Sequence, residues 1–165
     1  AVTDGLTGLY NHRYFRQRLE DEFERARRYH LPLSCLIMDI DNFKMINDTY
    51  GHLQGDAILR GIASCSLQTV RKSDIVARYG GEEFVVIMPQ TGIEGATAQA
   101  ERIRREINGC TFEGMPEDRR VSVSVGVAIF DSAAMLDCEA LMRVADAALY
   151  TAKKEGKNRT VVGRP

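Results

Sequence analysis

Apolar positions along the chain fall into alternating helical and strand-like patterns. A helical spacing of apolar residues predicts an amphipathic first helix that starts near Asn11 and is closed off by Pro32. Residues 34–40 then form a short, nearly unbroken apolar run, which is typical of a central strand covered on both faces. Two carboxylates, Asp39 and Asp41, lie at the end of this strand.

The same spacing rules predict the remaining elements. Further helices are predicted from about Phe43, over 56–70, around 96–107 and around 141–152, and further strands over 75–79, 83–88, 121–129 and 160–162. Gly80 and Gly81 separate two of these strands and predict a two-residue hairpin in which positive φ is allowed. Hairpin-paired strands mixed with helices predict an α+β domain, with a mainly antiparallel central sheet flanked by helices.

Composition and charge limit the class of protein. With 165 residues, 44% hydrophobic and 27% charged, the chain has the composition of one globular domain, and no linker divides it. A net charge of −1 provides no overall field that would attract nucleic acid or an anionic membrane. No apolar run reaches the roughly 20 residues that span a bilayer. We therefore expect no nucleic-acid partner and no membrane insertion of this segment, and any phosphate site must be local.

The cysteines do not form a recognisable metal or redox motif. Cys35, Cys65, Cys110 and Cys138 lie far apart in the sequence, with no CxxC pair and no histidine at metal-ligand spacing. We expect them to be small apolar side chains in a reduced cytoplasm.

The turn at residues 79–84 carries the most informative chemistry. Gly80 and Gly81 permit close approach of a backbone or ligand, and Glu82 and Glu83 follow directly. Carboxylates on a rigid turn suit a metal ion, although a hairpin with solvated glutamates is the alternative interpretation of this stretch alone.

The end of the first predicted strand offers a second set of ligands. Asp39 and Asp41 supply hard oxygen atoms, and Phe43 and Lys44 open the next helix. Mg²⁺ prefers a few carboxylates together with phosphate oxygens, and helix N-terminal amides and a lysine favour a triphosphate. Helix capping by Asp41 and Asn42 is the alternative role for those two residues.

Polar side chains follow this helix around Gly51 and Gly55, two glycines that are expected to interrupt helical structure. Asn47 can both donate to and accept from a purine, and Asp56 can accept from the imino and amino groups of guanine. Taken singly, Asp56 is as well explained as the N-cap of the next helix, and His52 as a loop or packing histidine. Near the C-terminus, Lys153 and Lys157 belong to a basic helix end that either stabilises the helix dipole or binds phosphate.

Together these segments resemble the GGDEF family of diguanylate cyclases. The family's name motif stands here as Gly80-Gly81-Glu82-Glu83-Phe84, and residues 4–11 are similar to its opening motif. The resemblance runs through 39–44, 47–48 and 153–157, and so covers nearly the whole chain.

The resemblance implies the nucleotidyl-cyclase fold, with a ferredoxin-like palm, and the condensation of two GTP into cyclic di-GMP and two pyrophosphates. It implies Mg²⁺ or Mn²⁺ as cofactor and a homodimer for catalysis, because each domain would hold one GTP. The implied roles are metal binding by Asp39, Glu82 and the Ile40 carbonyl; catalysis by Glu82, Glu83 and Lys44; base binding by Asn47, His52 and Asp56; and substrate contacts by Phe43, Lys44, Gly80, Gly81, Lys153 and Lys157. The general base stays open between Glu82 and Glu83.

A separate site for the product is also implied. Arg71-Lys72-Ser73-Asp74 matches the family's RxxD inhibitory motif, and Arg102 resembles a secondary contact from a neighbouring domain. An exposed charge pair at a helix end is the alternative for Arg71 and Asp74.

The chain starts without methionine at Ala1, so we expect residues 1–165 to be one domain of a longer signalling protein with an N-terminal sensory or dimerising domain. We expect a cytoplasmic location, although the full protein could be anchored to a membrane through another segment.

Three alternatives to a cyclase for GTP remain: a catalytically silent GGDEF-like binding module, a cyclase of altered base choice, and a regulatory scaffold. All metal and base residues are present, and Asp56 favours guanine.

Overall fold

A computed structural model describes all residues from Ala1 to Pro165. It contains five helices, α1 (His12–Tyr29), α2 (Phe43–Tyr50), α3 (His52–Thr69), α4 (Ile93–Gly109) and α5 (Cys138–Lys154). Five strands, β1 (Leu33–Ile40), β2 (Ile75–Arg78), β3 (Glu83–Pro89), β4 (Val123–Ile129) and β5 (Thr160–Val162), form a single sheet. No helix is both long and apolar enough to cross a membrane.

The sheet has the strand order β2-β3-β1-β4-β5, and only the β4–β5 pair is parallel. The first strand is therefore central, as its unbroken apolar run predicts. Its alternate side chains enter two separate cores: Leu36 and Met38 pack with α2, α3 and α4, whereas Cys35 and Ile37 pack with α1 and α5. The α+β class with a mainly antiparallel sheet flanked by helices is confirmed.

Close packing of β4 against α5 depends on a glycine. A Cβ atom at Gly126 would lie 2.2 Å from the Ala145 carbonyl oxygen and 2.3 Å from the Leu149 nitrogen. No larger residue fits there without moving the helix. This close approach holds the C-terminal end of α5 near the end of β1, where the acidic residues lie.

Several predicted boundaries were wrong. Strand β4 begins at Val123, two residues after its predicted start at 121. Helix α3 begins at His52, four residues before the predicted start, so Asp56 lies inside the helix and is not its N-cap. The hairpin has a longer loop, because β2 ends at Arg78 and β3 begins at Glu83. Neither Gly80 nor Gly81 has a positive φ. The Tyr79 and Gly80 amides instead both donate to the Glu83 carbonyl, at 2.8 and 3.2 Å, which closes a wider turn.

Candidate active site

One cleft collects most of the predicted site residues. Its volume is about 590 Å³, and its walls come from the end of β1, from α2, from the start of α3 and from the β2–β3 turn. The residues that line it are Asp39, Phe43, Lys44, Asn47, Asp48, His52, Asp56, Leu59, Arg78, Gly81, Glu82 and Glu83. Nine of these were predicted site residues, and Asp48, Leu59 and Arg78 had no assigned role.

The carboxylates of Asp39, Glu82 and Glu83 all line the cleft. Asp39 pairs with Glu83 across the β1–β3 ladder, and the Ile40 amide donates to the Glu82 carbonyl at 3.3 Å. Burial and then the nearby Asp39 carboxylate raise the pKa of Glu82, and the same two causes raise the pKa of Glu83. The repulsion among these groups favours the arrival of a cation.

Lys153 reaches this acidic cluster from the last turn of α5. Its ammonium donates to Asp39 Oδ1 at 2.9 Å, to Asp41 Oδ1 at 3.0 Å and to the Ile40 carbonyl at 3.4 Å. Burial, the largest influence, lowers the pKa of Lys153, but its hydrogen bonds to Asp39 and Asp41 outweigh that effect and raise it. In this structure Lys153 is thus a partner of carboxylates and does not line the cleft.

The predicted metal ligands fit a divalent cation. A single positive atom, Lys153 Nζ, contacts both Asp39 Oδ1 and the Ile40 carbonyl, so these two oxygens can face one cation. No three acidic, histidine or cysteine side chains converge on one point. The predicted set needs only two carboxylates and a carbonyl, which matches the preference of Mg²⁺ for few protein ligands with substrate oxygens completing its shell.

Asp41 has a structural role that its sequence position does not reveal. It is 4% exposed and accepts hydrogen bonds from Ser122 Oγ (2.7 Å), Ser124 Oγ (2.6 Å) and the Asn158 amide (3.0 Å), besides Lys153. Neither Asp41 nor Asn42 caps α2 through its side chain, so the capping alternative was wrong. Asp41 ties together β1, β4 and the segment after α5.

The cleft also contains groups suited to a purine. The Asn47 Oδ1 atom is buried and has no hydrogen-bond partner. Gly55 makes room for it, because a Cβ there would lie 1.9 Å from Asn47 Oδ1. Asp56 lines the same cleft from the second turn of α3, and His52 is the exposed first residue of that helix. A side-chain amide without a hydrogen-bond partner and a carboxylate in the same cleft can together form hydrogen bonds with the edge of a purine base.

The start of α2 is suited to an anion. Its first amides have no intrahelical acceptor, and no side chain caps them. Lys44, with 92% of its side chain exposed, lies there and pairs only with Asp48 at 3.2 Å. Lys157 donates to Asn42 Oδ1 at 2.7 Å, which brings the basic C-terminal segment to the same helix end.

Arg78 is a functional candidate that sequence reasoning missed. Its guanidinium donates to both carboxylate oxygens of Asp4 at 3.3 Å and to the Gly81 carbonyl at 2.7 Å. Asp4 is held in turn by the Thr7 hydroxyl at 2.7 Å. The arginine therefore connects the opening segment of the chain to the turn that carries Glu82. The only sign of this role in the sequence was the position of an arginine two residues before Gly80.

The predicted inhibitory residues lie away from the cleft. The Asp74 side chain is fully buried and accepts from Arg71 Nη2 at 3.1 Å and from Gln99 Nε2 at 2.9 Å. Arg102 donates to Gln99 Oε1 at 3.4 Å. The exposed charge pair was thus the wrong alternative for Asp74, and Gln99, which the sequence did not single out, connects the motif to Arg102 within one chain.

Comparison with known proteins identifies the family of this domain. The model of the family described as diguanylate cyclase, GGDEF domain, matches residues 1–159. The chain belongs to the GGDEF-domain family. The resemblance seen in the sequence is confirmed.

Two relatives show how much of a longer protein this GGDEF domain represents. Response regulator PleD of Caulobacter vibrioides is 44% identical over 165 residues, which cover 99% of this chain and 36% of PleD. Diguanylate cyclase DgcP of Pseudomonas aeruginosa is 41% identical over 162 residues, which cover 98% of this chain and 24% of DgcP. The chain thus spans well under half the length of either relative.

Solved GGDEF domains have the same fold. The GGDEF domain of DgcB from Caulobacter crescentus, in complex with c-di-GMP, matches with a TM-score of 0.92 and 32% identity, over 99% of this chain and 94% of that one. The active GGEEF domain of a diguanylate cyclase from Vibrio cholerae matches with a TM-score of 0.88 and 34% identity, over 94% and 97% of the two chains. Residues 80–84 here spell the same GGEEF motif.

Proposed function

We propose that this GGDEF domain is a diguanylate cyclase that condenses two GTP into cyclic di-GMP and two pyrophosphates. One observation carries the proposal: a single cleft combines the Asp39, Glu82 and Glu83 carboxylates with the unpartnered amide of Asn47 and the open N-terminus of α2. Metal-binding, base-reading and phosphate-binding groups are the three requirements for a nucleotidyl transfer from GTP.

Different residues of the chain bind the base and the phosphates of GTP. Asn47 and Asp56, with His52 beside them, bind the guanine, since a carboxylate accepts from its imino and amino groups. The amides at Phe43, together with Lys44 and Lys157, bind the phosphates. Gly80 and Gly81 let the substrate approach the turn; the space around the Gly81 Cα is open.

The acidic cluster prepares the reacting hydroxyl. Mg²⁺ or Mn²⁺ held by Asp39, Glu82 and the Ile40 carbonyl would lower the pKa of the attacking 3′-hydroxyl and neutralise charge on the leaving pyrophosphate. Glu82 and Glu83 both have raised pKa values, which suits a carboxylate that accepts a proton, and the base is one of these two. Lys153 holds Asp39 in place, and it would be available to bind phosphate if a metal ion took its place at Asp39.

The reaction needs two copies of the domain. Each chain has one such cleft, whereas the product contains two guanines and two new phosphodiester bonds. A homodimer that brings two clefts face to face supplies both nucleotides and both sets of acids. We propose that dimerisation is imposed by an N-terminal sensory or dimerising domain of a longer protein, which agrees with the 36% of PleD that this chain spans.

The Arg71–Asp74 pair is proposed as the inhibitory site for the product. The side chain of Arg71 is 51% exposed, whereas that of Asp74 is buried. The ion pair with Asp74 therefore holds the Arg71 guanidinium in place while part of it stays exposed to solvent. Arg102 lies on the same surface through Gln99. DgcB was solved with c-di-GMP bound, which supports product binding by a relative of this fold.

Because GTP is the proposed substrate, we propose a cytoplasmic location for this domain.

A mass-spectrometric assay tests the function directly. The purified domain, at concentrations high enough for dimerisation, is incubated with GTP and Mg²⁺, and the nucleotides are separated and weighed. Cyclic di-GMP and pyrophosphate are expected, and neither is expected without the metal. The second candidate, a silent binding module, predicts GTP binding by calorimetry with no product at any protein concentration.

A further inference from the structure

Two of the four cysteines meet between α3 and α4. Cys65 Sγ lies 3.8 Å from Cys110 Sγ, although the two residues are 45 positions apart in the sequence. Cys65 projects from α3, and Cys110 is the C-cap residue of α4. Helix packing alone creates this proximity, which the spacing of the cysteines along the chain does not indicate.

Both thiols are accessible to small molecules. Each is partly exposed, and both line a surface cavity of about 610 Å³ between the two helices, together with Gln68, Arg102 and Glu106. Cys35 and Cys138, in contrast, are buried in the core on the other side of the sheet. Only the first pair therefore combines proximity to a second thiol with access from solvent.

We propose that Cys65 and Cys110 form a reversible intramolecular disulfide when the domain meets a low-molecular-weight disulfide such as oxidised glutathione. One cysteine thiolate attacks the reagent, its S–S bond breaks, and one glutathione thiolate leaves and takes a proton from water. The second cysteine thiolate then attacks the mixed disulfide and releases the other glutathione. The two cysteines lose two electrons in total, and the reagent gains them.

The geometry permits this bond with a small movement. A disulfide has an S–S length of about 2.05 Å, so the sulfurs must approach by a little under 2 Å. Cys110 lies beyond the last helical residue of α4, where its amide makes one backbone hydrogen bond, to the Ile107 carbonyl at 3.1 Å. No neighbour lies within 4 Å of a Cβ built at Gly109, so the chain next to Cys110 has space to adjust.

The environment of Cys65 affects the rate of bond formation. Burial, followed by the neighbouring Cys110, raises the pKa of Cys65 to about 12. Cys65 is therefore a neutral thiol at pH 7, and exchange through its thiolate accelerates as the pH rises. The reduced form persists in a reducing medium, and the bond forms when an oxidised disulfide accumulates.

The bond would link the two helices that flank the hairpin. The closed loop contains β2, β3 and all of α4, and therefore both the Arg71–Asp74 pair and the turn with Gly80 and Gly81. Cross-linking a loop of this length restricts the unfolded chain. A rise in Tm on the order of 10 °C is expected for a domain of this size.

Peptide mapping tests the pairing. The folded domain, with all four native cysteines, is equilibrated with oxidised glutathione at about pH 8, denatured in iodoacetamide and digested with trypsin. The expected result is two alkylated cysteines, with tryptic peptides 61–71 and 106–119 joined by a bond that dithiothreitol breaks. The Tm of the oxidised sample is measured in parallel.

Matched variants show whether the link is specific. Cys65→Ser and Cys110→Ser should each abolish the joined peptides and the rise in Tm, whereas Cys138→Ser should preserve both. The proposal is overturned if all four thiols remain alkylatable after equilibration, if the linked peptides contain Cys35 or Cys138, or if the linked protein melts at the same temperature as the reduced one.

Discussion

Lys153, in the last turn of α5, donates a hydrogen bond to Asp39 at the end of β1 over 2.9 Å. The sequence suggested different ligands for these two residues, a phosphate for the lysine and a metal ion for the aspartate. Their contact shows that the proposed phosphate-binding lysine and the proposed metal-binding aspartate belong to one electrostatic cluster. A cation at Asp39 would compete with Lys153, and we propose that this competition would free the lysine to bind an anion.

The carboxylates at this cluster should be essential for product formation. Asp39→Asn or Glu82→Gln removes a proposed metal ligand, so nucleophile activation and charge neutralisation are lost together. We expect cyclic di-GMP synthesis to fall below detection while the circular dichroism spectrum and Tm stay close to the parent's. Glu94→Gln, which changes an exposed acid on α4, is the matched control with unchanged activity. If Asp39→Asn or Glu82→Gln kept near-normal activity and unaltered metal dependence, the proposed metal site would be wrong.

Asp56 should determine the choice of base. In Asp56→Ser the guanine donors lose their carboxylate, which costs about 1–3 kcal/mol of binding free energy. The preference for GTP over ATP in competition assays should therefore fall by roughly 5- to 150-fold. Asp48→Ser, the same change elsewhere in the cleft, should leave the preference intact. An unaltered preference in the Asp56 variant would place the base elsewhere.

Arg71 should control inhibition by the product. Arg71→Ala removes the exposed guanidinium above Asp74, so cyclic di-GMP should bind more weakly in calorimetry, and product should accumulate for longer. Initial rates at low product concentration should stay close to the parent's, because the site lies away from the cleft. Lys72→Ala is the neighbouring control. If the parent binds no product outside the cleft, or if the Arg71 variant is inhibited as strongly, the site is not inhibitory.

Arg78 should position the glycine turn. Arg78→Ala removes both its pair with Asp4 and its bond to the Gly81 carbonyl, so Glu82 is less firmly placed. We expect kcat to fall by roughly 10- to 100-fold, with a smaller change in GTP affinity. Arg78→Lys keeps the charge but cannot bridge two acceptors with a planar fork, and should be intermediate. A parent-like kcat in Arg78→Ala would show that the turn holds its geometry without the arginine.

Asp41 should make stability depend on pH in the acidic range. Burial, the largest influence, raises its pKa, but hydrogen bonds from Ser124, Ser122 and Lys153 outweigh burial and lower it below the ordinary value. Its ionised form therefore stabilises the fold above about pH 4, and this contribution disappears as the pH falls through the lowered pKa.

Asp41→Asn should cost about 1–3 kcal/mol of unfolding free energy at pH 7 and progressively less below pH 4. Urea unfolding across this pH range measures the difference. Asp21→Asn, an exposed acid on α1, should show no such dependence. A cost that stays constant down to about pH 2 would mean that the pKa of Asp41 is the same in the folded and unfolded states, and would contradict the prediction.

The sequence by itself determined the order and type of the elements and which family they form. Helical and strand spacing depend on residues that are close along the chain, and apolar periodicity records which face each element buries. The motif at 80–84 and its companions are also contiguous, so they can be recognised without any structure. The α+β class followed from these local signals.

Only the tertiary structure decided which side chains contact each other across the chain. The four partners of Asp41, the link from Asp4 through Arg78 to Gly81 and the meeting of Cys65 with Cys110 all join distant segments. The early start of α3 and the wide turn were also settled there, because both depend on hydrogen bonds and packing that spacing does not encode. Periodicity predicts that a residue is buried, but its partner depends on how the helices pack against the two faces of the sheet.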